Sequence, residues 1–142
     1  MNLGDAVQMA AHSTRAYKML ERRFNDNDFS MPVNPAKMWM LGGCGVMAEA
    51  IKMVVPQAEL MATKEPDGTT QHAFARIDTR LYDAEGETNP DKMRYAWFAL
   101  KGVKLGNAFL LNDFSWPNDL YRDRRASKFM AGLITHFMNG GY

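Results

Sequence analysis

The sequence predicts an α+β chain, with helices packed on a small central antiparallel sheet. Three observations predict it. Apolar residues recur at helical spacing near both ends and in the middle of the chain. Short β-rich runs cluster between residues 58 and 84. Gly, Pro, Asn and Asp punctuate the junctions between them. The 142 residues are 46% hydrophobic and 23% charged, which suits one domain spanning 1–142 with a core that needs no disulfide. Aromatics at 11% and the absence of low complexity exclude disorder as the main state.

Taken in order, Leu3 to Phe24 is expected as one helix, with Val7, Ala10, Ala11, Thr14, Tyr17 and Leu20 along its stripe. Phe24 to Pro35 reads as a loop. Asn34 then caps a short turn that Pro35 opens and that runs through Met40, before Leu41-Gly42-Gly43 interrupts it. Met47, Ala50, Ile51 and Val54 fall at i, i+3, i+4 and i+7 and predict a helix over Gly45 to Val55, with Glu49 and Lys52 facing away. Pro56 stops it. Ala58 to Thr63 reads as a strand, Glu65-Pro66-Asp67-Gly68 as a turn, and Gln71 to Ile77 and Arg80 to Ala84 as two more strands. Asn89-Pro90-Asp91 starts a helix carrying Met93, Ala96, Trp97 and Leu100 on one face as far as Gly102. Val103 to Phe114 holds strand-like residues, and Ser115-Trp116-Pro117 opens a last helix that reaches about Met138.

Composition narrows the function classes. Seventeen Lys and Arg against sixteen Asp and Glu leave a formal charge of +1, so no nucleic-acid partner is expected. The basic run Arg122, Arg124, Arg125 and Lys128 is partly neutralised by Asp119 and Asp123 and reads as a solvated face. No apolar run is long enough for a membrane span and no leader pattern opens the chain, so a cytoplasmic protein without membrane contact is expected. One cysteine excludes a disulfide framework and a multi-cysteine zinc site. Neither a cofactor nor a metal is expected, since no phosphate loop or paired-ligand spacing occurs. His12 and His136 read as surface or core-edge residues, and the 12 methionines as core filling, with a pliable contact surface as the alternative.

The chemistry concentrates on Cys44, His72 and Asp83. Cys44 stands where Leu41-Gly42-Gly43 feeds a helix. Unpaired N–H groups and the positive end of the dipole there favour a thiolate and offer an oxyanion hole. The flanking glycines permit close approach by a substrate. A two-residue loop at Asp78-Thr79 pairs Ile77 with Arg80 and therefore Phe74 with Asp83. His72 and Asp83 then become diagonal neighbours on one face, unless the register slips by one residue. Thiol, imidazole and carboxylate are the three parts of a nucleophilic triad. Glu85, on the same face as Asp83, competes for the orienting role; Asp67 and Asp78 are weaker candidates.

Gly42-Gly43-Cys44 opening a helix, a strand opened by His72 and a strand ending in Tyr82-Asp83-Ala84-Glu85-Gly86 resemble the papain-like cysteine hydrolase superfamily. The order Cys, His, Asp is similar to its transglutaminase-like and arylamine acetyltransferase branches and to small papain-fold toxins and effectors. The resemblance covers roughly Met40 to Gly86. It implies a papain-like fold, with Cys44 as nucleophile, His72 as general base and Asp83 holding the ring. It also implies a protein or peptide substrate. Two features depart from the family: the stretch from Cys44 to His72 is short for a full-sized peptidase, and no clear oxyanion-hole Gln or Asn precedes the cysteine, Asn34 being the nearest to one. The function expected is a hydrolase or acyl transfer through a Cys44 thioester, on a peptide, isopeptide or glutamine-amide bond. The alternative is a non-catalytic module that keeps the fold and binds a protein or small ligand.

Overall fold

The computed structural model describes residues 1–30 and 35–141. Within them the chain is α+β, with six helices and a five-stranded antiparallel sheet in the order β4-β3-β2-β1-β5. The helix expected over Leu3 to Phe24 is two helices, α1 (Leu3–Ala11) and α2 (Thr14–Asp26). Ser13 divides them. Its hydroxyl accepts the Ala16 N–H and starts α2, while the apolar stripe runs on across the break. α3 (Pro35–Leu41) and α4 (Cys44–Val54) follow, and Asn34 lies outside the described residues.

The sheet grows from hairpins. β1 (Glu59–Lys64) pairs with β2 (Thr70–Ile77), and β2 with β3 (Arg80–Asp83). β4 (Gly86–Thr88), which the sequence did not suggest, adds one edge. Gly86 opens it at φ +90°, with the Gly4 carbonyl oxygen 2.7 Å from where a Cβ would stand. Only glycine fits there. α5 (Pro90–Lys101) begins at the Asn89 cap and ends on left-handed Gly102, as expected. Of Val103 to Phe114 only β5 (Ala108–Leu110) is strand, pairing beside β1.

The last helix, α6 (Arg124–Met138), starts well after Ser115-Trp116-Pro117. The Asp123 carboxylate caps it by accepting the Ala126 N–H. The preceding segment is held as a loop, with Leu120 N–H on the Pro117 carbonyl and the Trp116 indole N–H on the Leu120 carbonyl.

Alternation along the strands divides the core. Ala75, Tyr82 and Ala84 face a helical layer containing Ala6, Val7, Val46, Ile51, Met130 and Ile134. Met61 and Phe74 face the other way and pack with Met93 of α5. Each fully buried aliphatic chain such as Ile51 or Ile134 contributes roughly 1.5–3 kcal/mol. Because α6 packs along α4, Glu49 does not face away; it is buried against Arg122 and Ser127. Among the described residues no helix is long and apolar enough to cross a membrane.

Candidate active site

The β2–β3 hairpin carries the imidazole and the carboxylate. Ile77 pairs with Arg80 and Ala75 with Tyr82, so the loop is Asp78-Thr79 and the same register sets Phe74 opposite Asp83. Asp78 supplies the positive φ, 56°, at the first loop position. The diagonal neighbours meet: His72 Nε2 and Asp83 Oδ2 are 3.0 Å apart. Asp83 Oδ1 accepts the Glu85 N–H at 2.9 Å, so each carboxylate oxygen is engaged. Glu85 does not compete for the ring. Its side chain is half exposed and its Oε1 lies 4.0 Å from Nε2 of the exposed His12. Asp67 accepts the Thr69 N–H within its own turn.

Cys44 is the first residue of α4. Gly43 caps that helix without a side-chain hydrogen bond, so no side-chain oxygen claims the first-turn N–H groups. The glycines around the thiol serve packing rather than substrate approach. A Cβ at Gly43 would lie 2.8 Å from the Trp39 ring, and one at Gly45 would lie 2.9 Å from the Tyr121 carbonyl oxygen. Cys44 belongs to a buried cluster with Ala48, Leu60, Ala62, Ala73, Leu111 and Leu120. The last two belong to the segment between β5 and α6, which therefore covers the start of α4. Cys44 is 4% exposed, His72 1% and Asp83 6%.

Burial by itself would lower the pKa of His72. The hydrogen bond to Asp83, together with hydrogen-bonding and charge effects from Cys44, reverses this and raises it from 6.5 to about 9. Nδ1 nevertheless makes no hydrogen bond of ordinary geometry. Such contacts are often long or misaligned before a substrate is bound. Next to His72 the β1–β2 ladder is irregular, with two steps from Ala62 to Lys64 facing three from Thr70 to Ala73. An extra residue of this kind re-aims side chains.

Among the described residues two further buried polar atoms lack partners, Trp97 Nε1 and Thr63 Oγ1. The Trp97 ring is 6.5 Å from His72, and Thr63 sits at the irregular step. The sequence placed Trp97 on the inner face of α5, but nothing in its spacing tied it to His72. A cleft of about 650 Å³ reaches Asp83 between Met40, Glu87, Lys92 and Met93, without touching the sulfur. Among the described residues no group of three or more His, Cys, Asp and Glu side chains is placed to hold a metal. No family model, curated protein or solved structure matches this chain.

Proposed function

We propose that the chain is a cysteine-dependent hydrolase or acyl-transfer enzyme of papain-like type, acting on a peptide, isopeptide or glutamine-amide bond. The observation that carries this is the His72 ring. It is held on Asp83 at 3.0 Å, and its pKa is raised in part by the Cys44 sulfur.

Cys44 Sγ attacks the carbonyl carbon while its proton passes to His72, and the oxyanion forms against the first-turn N–H groups of α4. Collapse breaks the C–N bond, and His72 returns the proton to the departing nitrogen. The thioester is then cleaved by water in hydrolysis or by an amine in transfer. Asp83 keeps the ring oriented and stabilises the imidazolium. A protein or peptide substrate reaches the sulfur when the segment from Leu111 to Leu120 moves off it. A small enzyme of this type suits an effector or toxin acting on a cytoplasmic partner.

A second reading rests on one observation. The 4% exposure of Cys44 in an apolar cluster suits a structural thiol in a non-catalytic binding module. The pH dependence of Cys44 alkylation by iodoacetamide separates the two. Alkylation should persist well below pH ~8, where an ordinary thiol is mostly protonated, and slow in His72→Ala. Slow alkylation that His72→Ala leaves unchanged would sink the enzyme reading and favour the module.

A further inference from the structure

The basic residues of α6 divide into two sets. Arg122 and Arg124, ahead of and at its first turn, are engaged by Glu49 and Asp113. Arg125 and Lys128 are exposed and carry no ion pair among the described residues. A groove of about 580 Å³ lies between α2 and Phe129 of α6. From α2 the groove takes Arg15, Lys18 and Arg22, spaced i, i+3 and i+7 and so aligned on one stripe. These three are also exposed and carry no ion pair among the described residues. Arg23, on the same wall, is already bound to Asp123 at 2.6 Å, and among the described residues Asp26 is the one acid lining the groove.

The floor is apolar. Met19 contributes from α2, and Phe129, 42% exposed, lies open on α6. Arg15, Lys18 and Arg22 together on one wall of the groove are a strong local imbalance for a chain whose net charge is +1.

We propose that this groove docks an acidic, amphipathic peptide segment of a partner protein. Its apolar side chain covers Phe129 and its carboxylates meet Arg15, Lys18 and Arg22. The apolar floor between charged walls fits such a segment. A phosphodiester strand would use the cations and find a single ring to stack on, and a bilayer would need a flat or convex face. The groove lies apart from Cys44, so the proposal stands or falls independently of the enzyme reading.

The test is a fluorescence-anisotropy titration of the full chain with a labelled short peptide of alternating Glu and Leu. The controls are a Lys/Leu peptide of equal length, a single-stranded oligonucleotide and phosphatidylserine vesicles. Saturable binding of the Glu/Leu peptide is expected, weakening with salt. It should fall roughly tenfold or more in the double variant Lys18→Glu/Arg22→Glu, fall again in Phe129→Ser, and be unchanged in Cys44→Ser. All these substituted groove residues are exposed, and far-ultraviolet circular dichroism checks each fold. Absence of binding, equal binding of the Lys/Leu peptide, or full affinity in both groove variants overturns the proposal. Tighter binding of the oligonucleotide or vesicles overturns the occupant.

Discussion

Two groups of buried polar side chains involve α4, one at its first residue and one in its middle. In the middle, Glu49 receives Arg122 at 2.9 and 3.2 Å, Arg122 also meets Asp113, and Ser127 donates to the Val46 carbonyl at 3.0 Å. The Trp116 ring lies 4.3 Å from the same guanidinium. Each charge there faces an opposite one. At the first residue, the His72 ring has one conventional partner, its Nδ1 has none, and neither has the Trp97 indole nitrogen nearby. Buried polar groups left without partners typically cost about 1–3 kcal/mol each. A fully paired cluster fixes the packing of α4 against α6. An incompletely paired one weakens the fold, and native proteins keep such sites where a ligand or a reaction completes them.

The largest effect should come from breaking the complete cluster. Arg122→Met leaves the Glu49 carboxylate buried with only weaker partners, and should cost on the order of 3 kcal/mol in urea unfolding. That loss should hardly vary with pH between about 6 and 9.5. A loss that changed strongly over this range would mean the two clusters are coupled.

The His72 cluster should behave in the opposite way. Its folded pKa, about 9, stands above the unfolded 6.5. Its contribution is therefore complete below pH 6.5 and disappears as pH rises through about 9. Stability should drop across that window by on the order of 2–3 kcal/mol. Asp83→Asn should flatten the slope and cost roughly 1–3 kcal/mol at the acidic end. Cys44→Ser should flatten it less. A slope that survives Asp83→Asn unchanged would show that another group titrates. The smallest effect belongs to Glu85→Gln, expected within about 0.5 kcal/mol of wild type because the side chain is half exposed. A large change in the pH profile of this variant would reopen its claim on His72.

The parts of this corner that can be read from the sequence are those fixed by short-range rules. The two-residue loop at Asp78-Thr79 points to the register observed, and in that register residue spacing brings His72 to Asp83. Glycine before an amphipathic run marks the helix start that carries Cys44. Burial of the sulfur was not legible, because Leu111 and Leu120 arrive from a distant part of the chain. Glu49 turns inward for the same kind of reason, since α6 covers its flank. Ser13 and Asp123 are ordinary polar residues until a backbone N–H reaches them, so the split of the first helix and the late start of the last were missed. At three residues, β4 is too short for alternation to register.

The extra residue that β2 carries ahead of Ala73 limits which changes in chain length this corner can accept. On its upstream side Thr70 N–H is tied to Asp119 at 2.8 Å, and Gln71 bridges the Lys104 carbonyl and the Gly106 N–H. On its downstream side the hairpin locks Ala75 to Tyr82. Deleting one residue would make the ladder uniform and carry everything before it one step along, exchanging the faces of Gln71 and Thr70. The tethers and the imidazole cannot both survive that shift. Ordinary strands drift in length at their ends; this one is pinned on both sides of its irregularity, so a single-residue deletion there is a change of architecture.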